Sequence, residues 1–183
     1  RTAPSKAASE LNDRFRQNGS TVEIQTLDLA KDNSATVIRD LASRFPQSTL
    51  FHCAGVMPID GENDISQAFE GKVLGGLNIA NAISEFPDIH LVMMGSISAI
   101  TGTPGISAYS AANGALTGIV ADRNASGGRG VCVNWGPWLD GGIIGQTEIF
   151  THFPNGQVVF FHNGYDKLGK LPTSPCWARP TLV

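Results

Sequence analysis

Residues 89–138 read IHLVMMGSISAITGTPGISAYSAANGALTGIVADRNASGGRGVCVNWGPW, and this stretch decides the fold. It opens with IHLVMMGS, a compact apolar run that ends in glycine and serine, as a buried strand does at its exit. A Gly/Thr/Pro loop follows, and then AYSAANGALTGIVADRNAS, a helix built largely of small residues. GVCVNWGPW supplies the next buried strand and its exit loop. Two buried strands separated by one helix form a parallel pair, because the helix is the crossover that returns the chain to the same end of the sheet.

The same alternation extends towards the N-terminus. From Ile65 to Phe86, Phe69, Val73, Leu77, Ile79 and Ile83 mark a long helix that ends before Pro87. STLFHCAGV before it reads as another buried strand. Asp32-Asn33-Ser34 offers capping side chains to a helix carrying Val37, Ile38, Leu41 and Phe45 and closed by Pro46. TVEIQTLDL, with Val22, Ile24, Leu27 and Leu29, predicts a strand that stops near Asp28. Ala7, Leu11 and Phe15 predict an amphipathic helix from Ser5 to Gln17, ended by Asn18-Gly19. Helices alternating with short apolar strands imply a parallel α/β sheet with helices on its faces. Such sheets bind ligands beyond the carboxyl ends of their strands. That edge is where Asp28, Ala54-Gly55, Ser96 and Gly136-Pro137 fall.

Composition narrows the function. Of 183 residues, 42% are hydrophobic and 16% charged, the balance of a core-forming chain. With 13 Lys and Arg against 16 Asp and Glu, the net charge is −3, and no basic run exists to neutralise phosphates of a nucleic acid. No stretch approaches the roughly 18 consecutive apolar residues of a membrane span. The three cysteines, Cys53, Cys132 and Cys176, are too widely spaced for a disulfide framework or a zinc site, and His90, His152 and His162 lack metal-ligand spacing, so no metal is expected. His52 reads as a hydrogen-bonded core histidine and Cys53 as a small apolar filler. The 21 glycines raise the question of a phosphate-cradling loop, but Gly141-Gly142-x-x-Gly145 follows the last strand and reads as a flexible loop or lid.

Four polar residues share the strand-exit edge: Lys72, Ser96, Tyr109 and Asn113. Tyr109 and Asn113 are four apart and share a helical face. A buried ammonium beside a phenol lowers the phenol's pKa, and such a tyrosine next to a serine hydroxyl can give a proton to a carbonyl oxygen. Taken singly, each residue also reads as ordinary: a half-buried helix tyrosine, a solvated lysine. Ser96 precedes Tyr109 by 13 residues and Lys72 precedes it by 37.

With HCAGV, EGKVLGGLNI, MGSISAITG, SAYSAAN and VNWGPW in this order, the chain resembles the short-chain dehydrogenase/reductase superfamily. Within it, the sequence is most similar to ketoreductase domains of modular polyketide synthases and type I fatty acid synthases. Most superfamily members place a lysine four residues after the tyrosine. Here that position is Asn113, and the lysine stands in the KV-x-GG-x-N helix. The resemblance implies a Rossmann-like, doubly wound parallel sheet and NADPH-dependent reduction of a β-ketoacyl group carried on an acyl carrier protein, beside other domains of a cytoplasmic multidomain synthase. It implies that Tyr109 protonates the substrate oxygen, Ser96 hydrogen-bonds it, Lys72 holds the phenol's pKa down and contacts the nicotinamide ribose, and Asn113 completes the relay. It further implies that Asp28 accepts from the adenine amino group with Leu29 beside it, and that Arg1 pairs with the 2′-phosphate. Ala54 and Gly55 admit the cofactor to the backbone, and Gly136, Pro137 and Trp138 line the nicotinamide pocket.

The family's usual opening, a strand, a GGxGxxG loop, a helix and a second strand, is missing here. The sequence is therefore expected to be a fragment lacking the first βαβ cofactor-loop unit, with a partial ketoreductase domain at residues 1–146 and an unassigned tail at 147–183. In that tail QVVFF reads as a strand and Asn163-Gly164 as a turn. The LDD triplet that follows HxAGV in many ketoreductases is Met57-Pro58-Ile59 here, with Asp60 next, and the alternative tryptophan marker is Thr101, so no product configuration is implied. Two other functions compete: a stand-alone reductase of small ketones, which Asn113 disfavours, and a non-catalytic fragment unable to bind cofactor alone.

Overall fold

The computed structural model describes residues 6–31, 33–58 and 65–136. Helix α1 (Lys6–Gln17) is followed by α2 (Asn33–Arg44), β1 (Thr49–His52), and a long helix in three parts: α3 (Ile65–Phe69), a π turn (Glu70–Leu74) and α4 (Gly75–Ala82). Then come β2 (His90–Ser96), the short α5 (Ser98–Thr101), α6 (Ser107–Ala125) and β3 (Arg129–Trp135). Helix α1 stops where the Asn-Gly pair foretells. Gly19 adopts φ +82, a conformation open to glycine, while its N–H and that of Ser20 bond back to the carbonyls of Arg16 and Phe15.

The three strands are parallel in the order β1-β2-β3, with Leu50 opposite Leu91, Met93 opposite Cys132 and Ser96 opposite Trp135. On one face Leu91, Met93 and Cys132 pack with Ile38 and Ala42 of α2, Ile79 and Ala82 of α4, and Leu116, Ile119 and Val120 of α6. Each large apolar side chain buried there contributes about 1.5–3 kcal/mol. At the end of the core away from the strand exits, Arg123 of α6 is buried. It donates to four carbonyls, of Ile83, Phe86, Ile89 and Arg129, and fastens the α4–β2 connection to α6.

Three expectations are corrected. The strand predicted over Val22–Leu29 is irregular backbone, because a strand needs a partner ladder and none of the three described strands flanks it. Leu27 and Leu29 nevertheless pack against the core, and the Leu29 carbonyl accepts from Asn78 Nδ2 at 2.8 Å and Ser34 Oγ at 3.0 Å. The run STLFHCAGV yields only a four-residue strand at the edge of the described sheet. Its outward residues, Phe51 and then Cys53, are exposed, so Cys53 fills no core. The long helix ends at Ala82, four residues before Phe86, in turns closed by the Ile83 and Phe86 N–H groups. The tail at 147–183, the 141–145 glycines, Arg1, Pro137 and Trp138 lie outside the described residues.

Candidate active site

Lys72 sits inside the π turn, and only 6% of its surface is exposed. π turns are rare widenings of an α-helix by one residue, and they concentrate at functional sites. In this one the Gly75 N–H is shared between the carbonyls of Glu70 and Lys72. From there the lysine side chain crosses to the sheet. Its Nζ donates to the Met94 carbonyl on β2 at 3.1 Å and stands 5.6 Å from the centre of the Tyr109 ring on α6. Burial pushes the Lys72 ammonium below its ordinary pKa of 10.5, so this is not the solvated lysine that the helix taken alone allows. An ammonium over a phenol ring is also a cation–π contact.

Ser96 is the last residue of β2, at the strand exit where the sequence puts it. Its Oγ accepts from both the N–H of Ser98, at 3.2 Å, and the hydroxyl of Ser98, at 3.0 Å. A hydroxyl oxygen that already accepts twice has its own proton to give. Ser98, for which the sequence suggests no role, is thus the residue that orients Ser96. Tyr109 lies in the first turn of α6 and Asn113 one turn on. Asn113 is fully buried. Its Nδ2 donates to the Tyr109 carbonyl at 2.7 Å, and its Oδ1 has no partner among the described residues. A buried amide oxygen left bare costs about 1–3 kcal/mol, an expense typical of a site that awaits a polar group.

Asp28, Leu29, Ala54 and Gly55, from two segments about 25 residues apart in sequence, line one cleft of about 330 Å³. Gln67, Glu70 and Gly71 of the long helix complete its wall. Asp28 is held there by an Asx turn, its Oδ1 accepting from the Ala30 N–H at 3.3 Å. The volume lies at the lower end of the roughly 300–1,000 Å³ of ligand pockets. A carboxylate, small residues and exposed backbone fit the nucleoside end of a dinucleotide cofactor. Gly136, just past β3, is buried. The cleft residues Gln67 and Glu70 carry no spacing signal, whereas Asn78, which holds Leu29, stands in the KVLGGLN motif.

A three-stranded parallel sheet with crossover helices, with a serine at the exit of its central strand and a lysine and a tyrosine on the helices beside it, is a Rossmann-like fold of the short-chain dehydrogenase/reductase type. Residues 1–140 match the KR domain family. A phenolphthiocerol/phthiocerol polyketide synthase of Mycobacterium tuberculosis is 30% identical over 159 residues, covering 82% of this chain and 7% of that protein. Polyketide synthase GfsA of Streptomyces halstedii is 28% identical over 154 residues, covering 80% of this chain and 2% of that protein. Among solved structures, the ketoreductase from the first module of phoslactomycin biosynthesis in Streptomyces sp. HK803 is 32% identical, with a TM-score of 0.68, covering 79% of this chain and 34% of that one. The first ketoreductase of the tylosin polyketide synthase is 26% identical, with a TM-score of 0.64, covering 76% of this chain and 31% of that one. The chain belongs to the KR domain family, the ketoreductase domains of polyketide synthases.

Proposed function

We propose that this chain carries the proton-donating half of an NADPH-dependent reductase that converts a β-ketoacyl group, tethered to an acyl carrier protein, to the β-hydroxyacyl group within a cytoplasmic multidomain synthase. The observation that carries the proposal is the buried Lys72 ammonium, held between the Met94 carbonyl and the Tyr109 ring. In water such a charge would be screened. In this low-dielectric setting it favours the negative charge that develops on the phenol oxygen as the proton leaves.

NADPH, when bound, supplies the hydride. The chain's own residues do the rest. The Ser96 hydroxyl, its oxygen already engaged by Ser98, donates to the substrate's ketone oxygen and holds the carbonyl in place. The Tyr109 hydroxyl donates its proton to the same oxygen, and Lys72 stabilises the phenolate left behind. Asn113, through its bare Oδ1, takes the polar group that passes the next proton inward. Asp28, Leu29, Ala54 and Gly55 would hold the adenosine end, Gly136 and Pro137 the nicotinamide end, and Arg1 the 2′-phosphate, to which a guanidinium is suited as a bidentate donor.

The test is Tyr109→Phe in the complete ketoreductase, assayed with a β-ketoacyl thioester and NADPH. Loss of the proton donor lowers the turnover number by about 10²–10⁴-fold, while the melting temperature and NADPH affinity stay near wild type. Undiminished reduction in that variant retires the tyrosine assignment.

A further inference from the structure

The segment His52–Gly55 meets Lys72 twice, at its backbone carbonyl and along the stem of its side chain. At the root, His52 Nε2 lies 2.9 Å from the Lys72 carbonyl, and that contact requires Nε2 to be the protonated nitrogen. Further out, the stem of Lys72 occupies the space that a side chain at position 55 would need. A Cβ on Gly55 would lie 2.7 Å from Lys72 Cγ and 2.8 Å from Cε. We propose that His52 is a positioning residue of the reductase site. By donating to the Lys72 carbonyl it pins the π turn, so that the lysine leaves the helix across Gly55 and delivers its ammonium to Met94 and Tyr109. The proposal rests on the reading of Lys72 as a member of that site.

Three observations support it. The π turn is confined to Glu70–Leu74 between two α-helical segments, and the residue at its centre is Lys72. Such turns are rare and concentrate at functional sites, and this one places at its centre the residue whose carbonyl His52 contacts. His52 is a costly choice if its task is only to fill the core: it is 1% exposed, and its Nδ1 is buried with no partner among the described residues. Leucine at that place would leave no bare nitrogen. Among the described residues, the hydrogen bond the ring makes is the one to Lys72. Burial also pushes the His52 pKa below 6.5, which keeps the ring neutral near pH 7 and Nε2 its one donor.

The experiment compares His52→Leu, which removes the donor, with His52→Gln, whose amide nitrogen can stand where Nε2 stood. In the cofactor-free full chain, acetylation by acetic anhydride is read lysine by lysine by peptide mass spectrometry. Lys72 is expected to be protected in wild type and His52→Gln. In His52→Leu its labelling rises severalfold, while Lys31, Lys167 and Lys170 label as before. In the complete ketoreductase, the turnover number of His52→Leu falls about 10–100-fold, as for a catalytic group displaced by an ångström, and His52→Gln restores most of it. Loss of Lys72 protection in His52→Leu supports the pin even in a chain that reduces no ketone, which separates it from the reductase reading. A folded His52→Leu with Lys72 still protected overturns it. If His52→Leu does not fold, His52→Asn takes its place: its amide is too short to reach the carbonyl and must deprotect Lys72. Imidazole nitrogen shifts of the wild-type protein that show the proton on Nδ1 overturn the proposal outright.

Discussion

A methyl group on Gly55 would press into the Lys72 stem at two carbons, and the neighbour that must yield is the side chain whose ammonium the site needs. Gly55→Ala is therefore expected to cost stability and activity unequally. The overpacked contact destabilises by about 1 kcal/mol, since a lysine stem can bend away, and is read as a small fall in urea midpoint. Ketone reduction falls by about 10-fold or more, because the bent stem no longer brings Nζ to Tyr109. Glycine at this position was legible as a place of close approach, but the sequence assigned the space to the cofactor. Part of it belongs to Lys72. Lys72, Tyr109, Ser96 and Asn113 were legible as a candidate set because their order and spacing match those of the family the chain resembles, and the structure brings Lys72 to the Tyr109 ring. Ser98 was not, because a hydroxyl that serves another hydroxyl leaves no trace in hydrophobic period or charge.

Helices α1, α2 and α6 stand close to where periodicity and capping residues put them. Two elements do not, for different reasons. Of the apolar residues in this segment Leu27 and Leu29 reach the core while Ile24 stays exposed, for a strand is a relation between two backbones, and no strand of the described sheet supplies the second. Asn78 and Ser34 hold the Leu29 carbonyl instead. The π turn is invisible for the opposite reason. Phe69, Val73 and Leu77 recur every four residues as on an ordinary helix, so the apolar pattern of the sequence runs through it unbroken. Packing between elements also rests on Arg123, whose four bonds join α6 to the turns after α4. Gly128 leaves its side chain room, as a Cβ there would lie 2.8 Å from Arg123 Cζ. Arg123→Met keeps the apolar stem but strands the carbonyls of Ile83, Phe86 and Ile89. It is expected to cost about 2–4 kcal/mol in equilibrium urea unfolding. Because those carbonyls lie away from the strand exits, the same variant should leave NADPH affinity unchanged wherever it remains folded.

At the scale of the molecule, the alternation of helix and short apolar strand was enough to give a parallel α/β sheet, since buried strands and crossover helices admit few other arrangements. Its extent was harder to read. This chain spans 34% of the phoslactomycin ketoreductase it resembles, and its described sheet presents β1 as an edge. Phe51 on that strand is 59% exposed, and Ile24, Val56 and Ile65 are also open to solvent. Exposed apolar side chains along a strand edge favour self-association. Phe51→Lys is expected to reduce concentration-dependent association in sedimentation velocity, with a stability change within about 0.5 kcal/mol. The π turn, finally, fixes how this molecule can change its length. Each residue of an α-helix turns the chain by about 100°. The π turn holds one residue more than the α-helical path it replaces, so deleting a single residue from 70–74 would close it into regular helix with Ile65–Phe69 and Gly75–Ala82 still in phase, whereas a deletion in either α-helical half would turn the rest of that half by about that angle. Both halves could then keep their seats after a deletion in the turn, and the loss would fall on Lys72, whose side chain leaves the helix from the widened turn. The length of this helix is therefore part of the site, because its one extra residue sits in the turn that carries Lys72.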